Sequence, residues 1–390
     1  RGAMSTRREY LKAGVAGALG LVVGGAAGYY GTAAEREALK EQIESLRKEL
    51  GAKLEDEIDI YNWTYYVNRS LVDAWAEENN LKLIYDYLES YDEVYAKLET
   101  GASGYDIMTL TSPEILSYAE RGLIEEIDVS KIPNFKYLPD AFKGPKWDPE
   151  NKYSVIYSYG TTGLAWNGEK VEPEVTRWAD VFEPERQLGT YSKKVTMMPD
   201  ITETLGAALF YLGRDPNSMK DEDLEEAKEA LIRQKPHLAK YGATEEYMEG
   251  LKTERFLISH AWNGDTAGIK YASDEHSLFL EVYSPQMRYT VPEEGVYAWF
   301  DCFVIPKDAR HREAAHAYMN FILDPRVAAL NTMTVKYPFP SGMKYLPDTI
   351  ASEPMIVTSE EMLAKLQTYA SFTPEERTIR EEIWLEVQAA

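Results

Sequence analysis

A single cysteine, Cys302, stands in 390 residues, so no disulfide can close within the chain. It lies in the apolar run Cys302-Phe303-Val304-Ile305, where a cysteine serves as a small buried hydrophobe rather than as a nucleophile. Positive charge is also short: 42 Lys and Arg stand against 65 Asp and Glu, a formal net charge of -23. Without a basic patch to release counterions from a phosphate backbone, nucleic acid is excluded as a partner. The acidic surplus keeps a protein soluble and favours cationic partners. His237, His260, His276, His311 and His316 show no metal-ligand spacing, so no metal site is expected. P-loop, G-x-S-x-G and H-E-x-x-H signatures are missing as well, so neither a catalytic residue nor a cofactor is expected.

Long hydrophobic runs are absent but for one. Ala13 to Tyr30 is uncharged and rich in Gly and Ala, about 18 residues long and near the lower limit for spanning a bilayer. Before it stands Ser5-Thr6-Arg7-Arg8-Glu9-Tyr10-Leu11-Lys12, which resembles a twin-arginine export signal. Positive charge precedes the run while Glu35 and Glu37 follow it, so the body is expected outside the cytoplasmic membrane, on its periplasmic or extracellular face. Gly31-Thr32-Ala33-Ala34 suits cleavage, whereas Tyr29-Tyr30 suits an uncleaved interfacial anchor, and both remain open. Residues 34–55 read as a helical stalk, with Leu39, Ile43, Leu46 and Leu50 on one seam. That seam falls short of the roughly three to four heptads of a coiled coil.

From Glu57 strands and helices alternate. Glu57–Tyr61, Leu81–Tyr85 and Tyr105–Leu110 read as strands, separated by helices at Val67–Asn80 and Asp92–Glu99 and followed by one at Ile115–Arg121. This is the βαβ pattern, in which ligands bind beyond the carboxyl ends of the strands. The Tyr- and Thr-rich run Ser154–Trp166 reads as a crossing to a second lobe, which carries Val195–Met198, the helices Glu203–Leu212 and Glu222–Gln234, and the strand Leu257–Trp262. Tyr297–Pro306 is almost without polar alternation and reads as a parallel strand covered on both faces. Tyr337-Pro338-Phe339-Pro340 reads as another extended crossing, because prolines forbid a helix there. Thr373-Pro374-Glu375-Glu376 carries the cap and N1 proline of a last helix. The expected organisation is a signal or membrane anchor over 1–33, a stalk over 34–55, lobe 1 over 57–160 plus 302–336, and lobe 2 over 161–301 plus 337–390.

Asp301 is the anomaly in its apolar strand. A lone carboxylate there is costly to desolvate unless a cation meets it, and no Lys or Arg lies between Tyr289 and Lys307. The ligand itself is the expected cation. Trp63, Tyr66, Trp262 and Trp299 fall at strand ends or just past them, each beside polar residues. Asp200 and Glu203 open a helix, as N-cap and N3 residues that can cap it and also hold an ammonium group.

Tyr61-Asn62-Trp63-Thr64-Tyr65-Tyr66, Tyr105-Asp106, Tyr247-Met248-Glu249-Gly250, Trp262-Asn263-Gly264 and Trp299-Phe300-Asp301 follow one another in an order that resembles the spermidine/putrescine-binding proteins of ABC importers. The resemblance runs from about Glu57 to the C-terminus. It implies an α/β, two-lobed type II periplasmic binding protein fold with a hinge and an interlobe ligand cleft, a polyamine ligand and an ABC importer permease as partner. It maps the amine site onto Trp63, Thr64, Tyr66, Asp200, Glu203, Trp262, Trp299 and Asp301. Thr111-Ser112-Pro113 stands where the family has a polar pair and then a tyrosine, so Thr111 and Ser112 are carried over without that aromatic wall. A family glutamine near the C-terminus has only Gln367 and Tyr369 as counterparts. A polyamine alternates ammonium groups with methylenes, and carboxylates beside flat rings suit both. Tryptophan with paired carboxylates also suits a sugar-binding protein, and, as a different class, a glycoside hydrolase, although nothing identifies a general acid. A third reading is a sensor that signals through the stalk.

Overall fold

The computed structural model describes residues 55–390 apart from 89–90, 102, 113, 273–280, 358 and 364. The expected signal or anchor over 1–33, and the stalk over 34–55 save its last residue, lie outside the described residues. Among the described residues, no helix is long and apolar enough to cross a membrane.

Along the chain the main elements are β1 (Glu57–Trp63), α1 (Arg69–Glu78), β2 (Lys82–Leu88), α2 (Tyr91–Glu99), β3 (Ile107–Thr111), α3 (Ile115–Glu120), β4 (Ile124–Glu125) and β5 (Val155–Asn167). Next come β6 (Val195–Met197), α4 (Ile201–Tyr211), α5 (Asp221–Gln234), β7 (Leu238–Tyr241), α6 (Thr244–Lys252), β8 (Ile258–Trp262) and α7 (Asn263–Lys270). The chain continues through β9 (Tyr271–Ala272), β10 (Glu281–Val282), β11 (Met287–Thr290), β12 (Val296–Pro306), α8 (Arg312–Ile322), α9 (Pro325–Val335), β13 (Leu366–Gln367) and α10 (Pro374–Ala389).

The chain divides into two compact units. The first takes residues 55–158 with Asp301–Val335 and Phe339–Leu346, and the second takes Tyr159–Phe300, Lys336–Pro338 and Pro347–Ala390. Both β5 and β12 change unit within their length, at Ser158/Tyr159 and Phe300/Asp301. Phe339–Leu346, expected with the second lobe, groups with the first unit.

In unit 1 the strand order is β2-β1-β3-β12. β1 runs parallel to β2 and β3, as the βαβ pattern requires. β12 does not follow the expectation of a parallel strand: it pairs antiparallel with β3, Asp301 opposite Thr111 and Val304 opposite Met108, and antiparallel with β4. An unbroken apolar run reports burial on both faces and carries no information about direction. Inside this unit Tyr157 stacks on Phe303, ring centroids 3.8 Å apart, and Trp75 of α1 stacks on Phe321 of α8. Asn68 caps α1 by accepting from Leu71 N, while its backbone N–H donates to Asn331 Oδ1 of α9 at 2.7 Å.

In unit 2 the order is β5-β8-β6-β7, with β11 beside β5. β6 is parallel to β7 and β8, while β5 is antiparallel to β8 and β11. β13 runs parallel to the start of β12, Gln367 opposite Tyr297. At α10, Thr373 and Glu376 form the reciprocal cap read from the sequence. Both units are thus mixed rather than purely parallel.

Candidate functional site

In unit 1 the expected residues gather at the carboxyl end of the parallel strands. Trp63 ends β1 and Thr111 ends β3, and the β1–β3 register brings these ends level. Asn62 fixes the end of β1: its Oδ1 accepts from Thr109, from the Tyr157 hydroxyl and from Trp63 N. The strand breaks at Tyr65, which has a φ of 60°, and the turn brings Tyr66 back to a ring-centroid distance of 6.2 Å from Trp63. Trp63 and Tyr66 are half-buried, and Thr64 between them is exposed. Asp301 is 1% exposed, and the Thr111 hydroxyl donates to its Oδ1 at 3.1 Å. Burial first, and then the charge of Asp301, raises the pKa of Tyr157 well above its ordinary value. Ser112 is buried, and its hydroxyl meets no hydrogen-bond partner among the described residues.

In unit 2 the helix start works differently from a simple capping pair. The exposed Asp200 caps α4 by accepting from Glu203 N at 2.9 Å, but the Glu203 side chain does not return to the cap. It is buried instead, and its Oε1 accepts from Thr162 at 2.8 Å and from the Tyr369 hydroxyl. Burial, with the Asp200 charge added, raises the Glu203 carboxyl to about 8, against the pull of its two hydroxyl donors. Thr162 lies opposite Trp262 in the β5–β8 ladder, so the carboxylate and the first indole share one neighbourhood. Trp299 stands edge-on to Trp262 at 6.0 Å and to Tyr337 at 5.1 Å. Gly160 makes room for it, since a Cβ there would come within 2.1 Å of the Trp299 ring. The Trp299 indole N–H is buried without a partner among the described residues. Tyr337 and Tyr247 both donate to Asp265, whose carboxyl burial pushes up.

The structure pairs Trp63 with Tyr66 and Thr111 with Asp301 at neighbouring strand ends of unit 1, and links Asp200, Glu203, Trp262 and Trp299 through the cap, Thr162 and the indole contact in unit 2. Thr64 and Ser112 adjoin these residues in the chain without a side-chain bond to them among the described residues. Of the two C-terminal candidates, Tyr369 reaches Glu203 whereas Gln367 is exposed. Nothing in the sequence singles out Thr162 or Gly160, Asp265 stands out only as a polar neighbour of Trp262, and Tyr337 only as part of a crossing. A threonine or glycine in an extended run has no spacing signature, and only the strand pairing reveals what it faces.

A family model described as bacterial extracellular solute-binding protein matches residues 70–356. The putrescine-binding periplasmic protein SpuD of Pseudomonas aeruginosa is 28% identical over 342 residues, covering 85% of this chain and 92% of the relative. The spermidine/putrescine-binding periplasmic protein of Escherichia coli is 31% identical over 311 residues, covering 78% of this chain and 83% of the relative. Among solved structures, the spermidine/putrescine ABC transporter substrate-binding protein PotD of Streptococcus pneumoniae, in complex with calcium and HEPES, aligns with a TM-score of 0.77 at 26% identity, over 86% of this chain and 99% of that one. By the extent of the family match and the identity to its curated relatives, this chain belongs to the bacterial extracellular solute-binding proteins.

Proposed function

We propose that the chain captures a polyamine, spermidine or putrescine, outside the cytoplasm and hands it to an ABC permease, binding the amine without transforming it. One observation carries this reading: each unit holds a buried carboxylate with hydroxyl and aromatic company, Asp301 with the Thr111 hydroxyl as donor and Tyr157 near it, and Glu203 with the hydroxyls of Thr162 and Tyr369 as donors. An ammonium group bound to such a carboxylate gains about 1.5 to 3 kcal/mol, and one over a ring about 0.5 to 2 kcal/mol. Methylenes between the charges add about 0.8 kcal/mol for each one buried. Micromolar affinity needs about 8 kcal/mol after ordering costs, which a diamine or triamine held this way reaches. The names of the relatives, putrescine- and spermidine/putrescine-binding proteins, support the same ligand class. The stretch Ser5–Lys12 supports export by the twin-arginine route, and Ala13–Tyr30 supports a tether to the membrane by an uncleaved helix.

Titration calorimetry on the full chain in mild detergent, with spermidine, putrescine and a neutral oligosaccharide as separate ligands, tests the reading. Saturable heat from an amine and none from the sugar is expected, with Asp301→Asn weakening amine binding about tenfold or more. Heat from the sugar alone would reassign the carboxylates to hydroxyl recognition.

A further inference from the structure

A second polar group in unit 1 lies away from the residues assigned to the amine. Asp59 is on β1 four positions before Trp63, about 13 Å back along the strand. Asp106 immediately precedes β3, and His311 immediately precedes α8. One donor atom from each of the three lies within 4.8 Å of those of the other two. Asp106 is buried and firmly held: its Oδ1 accepts from Arg310 N and His311 N, both at 2.8 Å, and its Oδ2 accepts from Asp59 N at 2.9 Å and lies 2.9 Å from His311 Nδ1.

Asp59 is not satisfied in the same way. Its residue surface is 9% exposed, and its Oδ1 is closed to solvent and meets no hydrogen-bond donor among the described residues. Nearby cations are engaged with other carboxylates, Lys82 with Glu57 and Arg312 with Glu125. Glu55 adds a further negative charge at the start of α8, where it accepts from Ala314 N at 2.8 Å. The cluster holds a buried oxygen in need of a partner.

We propose that Asp59, Asp106 and His311 bind a divalent transition-metal ion of the zinc type. Two carboxylates and an imidazole suit such a cation better than calcium, which takes six or more oxygen ligands. Donors bound at about 2.1 Å and about 90 to 110° apart sit roughly 3 to 3.4 Å from each other. His311 Nδ1 and Asp106 Oδ2, at 2.9 Å, already stand close to that spacing. Binding draws the Asp59 carboxylate inward, while the backbone N–H groups on Asp106 stay in place as its orienting bonds. The His311 side chain, 18% exposed, opens the group to solvent. The ion would join β1, the start of β3 and the start of α8. Histidine spacing along the chain could not show this, because the ligands come from positions 59, 106 and 311.

The test strips the full chain with a chelator, returns it to metal-free buffer and titrates it with zinc chloride, and separately with calcium chloride, by calorimetry and thermal melting. One zinc per chain and a raised melting temperature are expected, with calcium giving neither. Asp59→Asn and His311→Gln, each checked for native circular dichroism, should weaken zinc roughly tenfold or more and abolish the rise in melting temperature. Absence of zinc binding in the unaltered chain, or zinc binding of equal strength in both variants, overturns the proposal and leaves the group as a hydrogen-bonded junction between strands and helix. Spermidine titration of the same variants separates this result from the amine reading, because neither residue belongs to the proposed amine site.

Discussion

Burial, with the Asp200 charge added, raises the Glu203 carboxyl to about 8 and so favours its protonated form at neutral pH. Asp200 on its own helix adds negative charge, Thr162 and Tyr369 donate hydroxyls, and Tyr289 and Tyr297 are close enough for its charge to raise their own pKa values. Arg380 acts electrostatically on Asp200 and Tyr297. The sign follows from the direction of the shift: a carboxyl raised in the folded state stabilises the fold while protonated, and that contribution is lost as pH rises from its ordinary value toward about 8. The unliganded protein should therefore lose melting temperature between about pH 5 and 8, and Glu203→Gln should not show that part of the loss. A bound ammonium favours the ionised form, so amine binding at neutral pH should release a proton and strengthen as pH rises through about 8. Calorimetry in two buffers of different ionisation heat measures this directly. A binding heat independent of buffer in the unaltered chain would mean that Glu203 is already ionised or lies outside the site.

Elements separate what the sequence could tell from what it could not. The start of α4 was legible because a cap has a local signature, and Asp200 caps as that signature requires, yet the signature did not reveal that the Glu203 side chain turns inward to Thr162. These two roles can be tested apart. Asp200→Asn keeps a good cap and removes the charge, so stability should hold while amine binding weakens; Asp200→Ala should in addition cost about 1 kcal/mol of stability. Equal amine binding by the unaltered chain and Asp200→Asn would reduce Asp200 to a cap. β12 was legible as buried but not in direction, because apolar periodicity is the same whichever way a strand runs. Gly160 was not legible at all: its importance is a distance to Trp299, a residue 139 positions later. Gly160→Ala should push the indole off its edge contacts with Trp262 and Tyr337, costing about 1 to 3 kcal/mol by overpacking and weakening amine binding with it. An unchanged melting temperature in that variant would show that the indole relocates freely.

At the scale of the whole molecule the net charge of -23 is the property most plainly read from composition, and it acts at a range the individual contacts do not. Exposed charges steer a polycation only within a screening length, about 8 Å at physiological ionic strength and about 3 Å at 1 M. The buried carboxylates, surrounded by protein, are screened far less. Salt should accordingly lower the association rate of an amine more than it raises the dissociation rate, and should do so more steeply for the triamine spermidine than for the diamine putrescine. Stopped-flow fluorescence reports both rates through Trp262 and Trp299, whose indoles stand in the proposed site. A salt effect confined to dissociation, and equal for the two amines, would mean that the acidic surface serves solubility alone and that recognition rests entirely on the local carboxylates and rings.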